Sequence, residues 1–426
     1  MLKNILPGDL IEVTTLDNKF LGKYFASPDK NHLVLKLDSG YNIGIKKNKI
    51  KGVKMVKKFN KKPVPKVKLD IKKGLKNVSI LHTGGTISSA VDYSTGGVNP
   101  HFTPEELIAM FPEIKEIANI RSRLVRNMAS DDMRFAHYNI LAKEIEKEVK
   151  KATQGIIITH GTDTMHYTAA ALSFILEDLN VPVILIGAQR SSDRGSSDAA
   201  MNFICATTFI AKTDFCDVAI CMHKSENDDF CVIIPGTKAR KMHTSRRDAF
   251  KVVNSSNIAE ISYPDCKINF LGKHKKVEDR KLKLKLLKEN LKIGLVKAHP
   301  QMFAEELNVY EKFNGLVLEG TGLGHFPINK IDEFTSEHSK IFNKIKLLAK
   351  KMPVVMSPQT IFGRLQMNVY SPGRLIQEIG VIGNYSDMTP ETTFIKLAWL
   401  LSNHPKEVKE MMLENLRGEL TKRLLE

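Results

Sequence analysis

The chain predicts an α/β protein whose core is a two-domain, parallel-sheet unit preceded by a small β-barrel of SH3-like or Sm-like type. Three observations carry that prediction. From residue 78 onward, short apolar runs end in glycine- or serine-rich loops and pass into helical periodicity, the pattern of β-loop-α units. Residues 1–56 lack that alternation and read as short strands between turn clusters. A run of lysines and prolines without apolar periodicity separates the two.

In the first segment the strands are Leu10 to Val13, Phe20 to Phe25 and Leu33 to Leu37, divided by turn residues at Leu16-Asp17-Asn18, Ser27-Pro28-Asp29 and Asp38-Ser39-Gly40. Short strands at this spacing suit a small barrel. Residues 57–76, with Pro63 and Pro65 among lysines, read as a semi-extended linker. Between Lys46 and Lys76 stand fourteen lysines and one acid, Asp70, so 14 minus 1 gives +13 of the chain's net charge of +17. Charge so concentrated is either a solvated linker or a surface for nucleic-acid phosphates, which clustered lysines hold without reading sequence.

The next strands are Val78 to Leu81, leading into Thr83-Gly84-Gly85-Thr86, and Gly155 to Thr159, leading into His160-Gly161-Thr162-Asp163 and a helix from Met165 to Leu176. A third, Val183 to Ile186, leads through Gly187-Ala188-Gln189-Arg190 to a helix over Ala199 to Ile210. Right-handed crossovers place such loops at one carboxyl edge, where open α/β sheets bind ligands. This domain spans 77–272. A lysine-rich connector at 273–292 interleaves Lys283, Lys285 and Lys288 with Leu282, Leu284 and Leu287, which reads as solvated surface. A second α/β domain over 293–404 has strands Ile293 to Val296, Gly315 to Leu318 and Pro353 to Met356, and a helical tail follows over 405–426.

Composition narrows the function. No apolar run approaches the roughly 18 residues of a membrane span, and the first residues resemble no signal peptide, so a cytoplasmic protein without membrane contact is expected. Cys205, Cys216, Cys221, Cys231 and Cys266 form no Cys-x-x-Cys pair, which predicts buried thiols and no metal site. No Walker-type phosphate loop is present.

Thr83-Gly84-Gly85-Thr86-Ile87 and His160-Gly161-Thr162-Asp163-Thr164 resemble the two signature motifs of the bacterial-type asparaginase/glutaminase family. Both follow a predicted strand, and the resemblance runs from Asn77 to Trp399 through Arg240-Lys241-Met242 and Met388-Thr389-Pro390-Glu391. It implies an asparaginase-like fold and hydrolysis of a primary amide. Such chemistry needs a nucleophile, a group to take its proton and donors for the developing oxyanion. By position, Thr86 resembles one nucleophilic threonine, and Thr162, Asp163 and Lys241 the second catalytic group. Lys238 lies close enough to leave the choice of lysine open. A lysine beside an acid in a water-poor pocket can serve as base, because burial disfavours its charged form. Gly84 and Gly85 allow a tight turn and close approach to substrate, and their amides are candidate oxyanion donors. Ser130 and Asp131 resemble the clamp on the amino acid's α-carboxylate and α-ammonium. Many free-standing relatives carry glutamine where Asp131 stands. Tyr93 resembles the flap tyrosine that closes over the nucleophile.

Within that family three features resemble the glutaminase-type D subunits of archaeal-type glutamyl-tRNA(Gln) amidotransferases. They are the barrel before the catalytic domain, the stretch Arg240 to Phe250, and Gln366-Met367-Asn368-Val369-Tyr370-Ser371 with the tail Asn415 to Glu419. The resemblance implies no cofactor in this chain. It implies ATP and Mg2+ at a partner subunit of the E type, Glu-tRNA(Gln) engaged through the complex, and a homodimer core giving a heterotetramer. The alternatives are a free-standing cytosolic L-asparaginase and an RNA-binding protein with an inactive amidohydrolase domain.

Overall fold

The computed structural model describes residues 2, 4–27, 29–39, 41–59, 71–85, 87, 89–91, 98–100, 110–190 and 196–422. The N-terminal segment is a five-stranded antiparallel sheet of β1 (Leu10–Thr14), β2 (Lys19–Phe25), β3 (His32–Lys36), β4 (Asn42–Lys46) and β5 (Gly52–Lys57). Their spatial order is β4-β3-β2-β1-β5. Alternation turns Ile11, Val13, Leu33, Leu35 and Ile45 inward as one small core. Sequence reading found the first three strands and missed β4 and β5. Their outward positions carry lysine and glycine, which hides the alternation.

After β6 (Asn77–His82) comes a two-stranded ribbon of β7 (Ser89–Val91) and β8 (Val98–Pro100). The short helix α1 (Ile114–Ile117) leads into β9 (Asn119–Leu124), α2 (Phe135–Lys150) and β10 (Gly155–Thr159). Then follow α3 (Met165–Ile175), β11 (Leu176–Glu177), β12 (Val183–Ile186), α4 (Ala199–Lys212) and β13 (Val218–His223). Strands β9-β6-β10-β12-β13 are parallel neighbours; β6, β10 and β12 are the three expected strands, and β9 and β13 add to them. The expected all-parallel sheet is corrected beyond them. β14 (Phe230–Pro235), β17 (Ala259–Ser262) and β18 (Ile268–Phe270) extend it antiparallel, making a mixed eight-stranded sheet. The loop from His223 to Phe230 is too short for the crossover of a dozen or more residues that a parallel neighbour requires. Between β14 and β17 in the chain, β15 (Ala239–Lys241) and β16 (Phe250–Val252) pair, among the described residues, only with each other.

Period-two alternation sorts the buried strands into two layers. Ile156, Ile158, Val183 and Leu185 face α2 and α3, whereas Ile157, Ile184 and Ile186 face α4. The lysine-rich connector is not a free surface strand. Leu282 and Leu287 are buried, β19 (Lys283–Leu284) pairs with β11, and Asn139 exchanges two hydrogen bonds with the Leu287 backbone.

β20 (Ile293–Lys297), β21 (Gly315–Gly320) and β22 (Val354–Pro358) form a parallel sheet with α5 (Ser336–Lys351) and α6 (Ser371–Glu378). α7 (Pro390–Asn403) packs both against this sheet and against α3, where the Trp399 and Phe174 rings lie 5.6 Å apart. The expected helical tail is corrected: only α8 (Val408–Met411) is helical beyond α7 among the described residues. Gly418 at φ +81° turns the chain so that Glu419 reaches Lys396 of α7 at 2.6 Å, both side chains fully buried. Exchanging helix for that pair satisfies a lysine that would otherwise be buried without a counter-charge.

Candidate functional site

Four loops meet at the carboxyl edge of the parallel strands. After β6, Thr83 donates its backbone N–H and its hydroxyl to the Thr159 carbonyl, at 3.1 and 2.9 Å, which ties the first motif to the strand preceding the second. Gly84 and Gly85 then take φ of +105° and +82°. A side chain at Gly84 would meet the Met128 carbonyl oxygen at 2.5 Å, and one at Gly85 the Gly161 nitrogen at 2.5 Å. Both glycines therefore serve close approach between loops as well as the left-handed turn. Gly161 meets Ser130 and Gly187 meets Thr162 in the same way, with 2.9 and 2.7 Å available to a Cβ. Neither of these two glycines was singled out from sequence. Their signal is a glycine directly beside a polar motif residue at a strand end.

The second motif starts at His160, whose fully buried ring contacts the Gly161 carbonyl at 2.7 Å and the Thr168 hydroxyl at 2.8 Å. Burial pushes this imidazole down to about 4, so it is a neutral brace near pH 7. Thr162 is 9% exposed, while the side chain of Asp163 is 70% exposed. Thr164 donates its backbone N–H to Ser130 Oγ at 3.3 Å and its hydroxyl to the Ser130 carbonyl at 2.5 Å, which fastens the second motif to the loop after β9. Asp131, exposed, follows Ser130 in a 3-10 turn that stops before α2.

Lys241 ends β15 and points into this edge. Its Nζ donates to Thr162 Oγ1 at 2.9 Å and to Asp163 Oδ1 at 2.6 Å. Lys238 is excluded from the role by place. It is buried and paired to the equally buried Asp387 at 2.8 Å, with Asp387 also accepting from the Thr421 backbone. Burial lowers Lys238 more than the Asp387 charge restores it. The structure thus brings Thr162, Asp163 and Lys241 into one hydrogen-bonded group, with Gly85 and Ser130 packed on the loop that carries it. Thr86 and Tyr93 lie outside the described residues. The water-poor surroundings expected for the lysine hold on one side only, since Asp163 faces solvent.

A cleft of about 480 Å³ opens beside this group, lined by Asp163, His166, Tyr167, Arg240, Lys241 and Glu391 among others. Arg240 Nε donates to Glu391 Oε1 at 2.9 Å, joining β15 to the first turn of α7. His166 sits 4.0 Å from the same carboxylate, but burial outweighs that attraction and pushes its imidazole down to about 4. A larger apolar groove of about 650 Å³, walled by residues such as Phe135, Phe313 and Phe394, shares only Thr164 and Tyr167 with the described motifs and cleft. Among the described residues no cluster of three or more His, Cys, Asp or Glu side chains could hold a metal ion, and all five cysteines are free. No helix among them is long and apolar enough to cross a membrane.

Three family models match. An asparaginase N-terminal model matches residues 77–274, a glutaminase/asparaginase C-terminal domain model residues 292–412, and a GatD N-terminal domain model residues 5–56. The D subunit of the glutamyl-tRNA(Gln) amidotransferase of Pyrococcus furiosus is 43% identical over 98% of this chain and 96% of its own. That of Methanococcus maripaludis is 42% identical over 97% of both. Among solved structures, the thermostable L-asparaginase from Thermococcus kodakarensis superposes with a TM-score of 0.70 at 28% identity, covering 82% of this chain and 100% of that one.

Proposed function

This chain belongs to the D-subunit family of the glutamyl-tRNA(Gln) amidotransferases, and from that membership we propose that Thr162, Lys241 and Asp163 do the chemistry of its glutaminase reaction. It is the glutaminase subunit of that enzyme, hydrolysing glutamine so that the ammonia serves conversion of Glu-tRNA(Gln) to Gln-tRNA(Gln). The observation that carries the site assignment is the double hydrogen bond of Lys241 Nζ, to Thr162 Oγ1 and Asp163 Oδ1.

A threonine Oγ attacks the glutamine carboxamide carbon, and the C–N bond breaks as nitrogen leaves with the hydroxyl proton, carried across by Lys241. Water then hydrolyses the acyl-threonine ester and releases glutamate. Asp163 holds the lysine amine against Thr162, and the Gly85 amide is a donor for the oxyanion. Thr86 is the other nucleophilic threonine and Tyr93 the residue that covers it. The Ser130 hydroxyl suits the substrate's α-carboxylate, and the exposed Asp131 carboxylate its α-ammonium. An acid at that position favours a substrate whose ammonium is held by charge.

The partner is a subunit of the E type, which uses ATP and Mg2+ to activate the tRNA-bound glutamate. A homodimer core of this chain gives a heterotetramer in the cytoplasm, and the N-terminal five-stranded sheet closes as an SH3-like or Sm-like barrel. A second reading, a free-standing L-asparaginase, is favoured by the match to the Thermococcus enzyme along 82% of the chain. Ammonia release from glutamine and asparagine, with and without partner, ATP and Glu-tRNA(Gln), separates them. Activity on glutamine that rises steeply in the full mixture supports the amidotransferase reading, and rapid asparagine turnover by the chain alone rejects it.

A further inference from the structure

Glu391, in the first turn of α7, reaches from the C-terminal sheet unit to the strand that carries Lys241. Its Oε1 accepts from Nε of Arg240, the residue immediately before Lys241 on β15. Successive side chains of a strand point to opposite faces, so a contact that fixes Arg240 on one side also fixes the direction in which Lys241 leaves on the other. The ribbon needs such support. β15 and β16 have three residues each and no other strand partner among the described residues, and a two-stranded ribbon alone is marginally stable. Ala239 at its base and Phe250, opposite Lys241, are buried and hold the backbone, but beyond Lys241 the chain turns out through the exposed Met242, His243 and Thr244.

Glu391 is also a poor choice for stability alone. It is 7% exposed, and its Oε2, like Nδ1 of the neighbouring His166, has no hydrogen-bond partner among the described residues. A buried acceptor left unpaired costs folding free energy. Glu319, half-buried at the carboxyl end of β21, is pushed upward by burial and by the Glu391 charge. A carboxylate kept where it strains its surroundings, with one oxygen committed to Arg240, has its use in that contact.

We propose that Glu391 is a positioning residue of the glutaminase reaction, holding Lys241 on Thr162 through Arg240 and so making the catalytic group depend on the docking of α7. The inference rests on the site assignment made above. On the site assignment above, Ser130 and Asp131 hold the substrate, so loss of Glu391 is expected to affect the chemical step and spare binding.

The test uses the full chain in complex with its partner subunit. In Glu391→Ala, kcat for glutamine falls about tenfold or more, because a small misplacement of a reacting group is enough for such a loss. KM stays within about twofold, since Ser130 and Asp131 are untouched. Glu391→Gln keeps an oxygen for Arg240 Nε and recovers kcat to within about threefold of wild type. Arg240→Met reproduces the loss, and combining it with Glu391→Ala adds nothing further. An alanine variant with kcat within about twofold of wild type overturns the proposal, as does equal loss of kcat in the alanine and glutamine variants. Should Glu391→Ala fail to fold, Arg240→Met and Glu391→Gln decide the matter between them. A wild-type complex that releases no ammonia from glutamine overturns the functional reading instead.

Discussion

At the scale of single residues, Thr162 and Lys241 answer to different substitutions from those that trouble Lys238. Thr162→Ala removes the hydroxyl at 2.9 Å from Lys241 Nζ, and glutamine hydrolysis should fall by roughly 10³-fold or more, with Thr162→Ser retaining part of the rate. Lys238→Met should leave turnover per folded molecule unchanged and lower the unfolding midpoint instead, because it strips Asp387 of its buried partner. Denaturation curves beside rates tell the two lysines apart. From sequence they could not be told apart, because three residues of separation say nothing about which one a tight turn buries. The place of Thr162 and Asp163 at a strand end was legible because the apolar run of β10 before them is unmistakable. The roles of Gly161 and Gly187 were not legible, since close approach between loops is a property of the folded edge. The buried imidazoles add a pH dependence. His160 and His166 are held down to about 4 by burial, whereas an unfolded histidine protonates near about 6.5. The unfolded state therefore binds more protons between those values. Stability is complete above pH ~6.5 and is lost as pH falls toward 4, by on the order of 2 to 4 kcal/mol per histidine. Urea unfolding at pH 7 and 4.5 should show His166→Phe losing less stability than wild type over that interval.

Among the elements, the tail after α7 is the one whose structure the sequence concealed. Its charged and polar residues carry helical propensity, and the expectation of a helix followed. What overrides propensity is one buried ion pair. Glu419 Oε1 lies 2.6 Å from Lys396 Nζ, and the same carboxylate accepts the backbone N–H groups of Leu416 and Arg417 at 3.1 and 2.6 Å. Burial lowers Lys396, and Glu419 is the group that opposes this. Glu419→Ala should cost about 3 to 5 kcal/mol by leaving the ammonium unpaired, whereas Lys396→Met with Glu419→Leu should be near neutral. Equilibrium denaturation of the single and double variants checks both values. A single variant as stable as wild type would show that the pair contributes nothing. The leucines of the connector follow a related logic. Alternation of lysine and leucine reads as surface until Asn139 and β11 are seen to pin the leucine side inward.

For the whole molecule, the sequence predicted the order of units and the parallel core, and missed their fusion. α7, placed by chain order in the second sheet unit, packs against α3 of the first, so the two share one apolar core. Only long-range packing reveals that, because the buried face of a helix does not name its partner. The distribution of charge was readable directly. Lys57 and Lys58 are exposed at the end of the N-terminal sheet, and with Lys61 and Lys62 they belong to the most basic stretch of a chain of net charge +17. Replacing these four by glutamine should weaken binding of Glu-tRNA(Gln) to the complex and reduce the steepness of its salt dependence, by up to roughly 0.7 to 0.9 in log–log slope for each phosphate no longer neutralised. A slope unchanged by the four substitutions would make the stretch a spacer.

The Lys396–Glu419 pair also couples the chain beyond α7 to both sheet units. The two partners stand 419 minus 396, or 23, residues apart in the sequence. Because α7 completes the layer over α3 as well as its own sheet, a charge left unpaired on it is felt in both. A nick between α7 and Glu419 is therefore expected to loosen both sheet units together, whereas β1 to β5 keep their own small core.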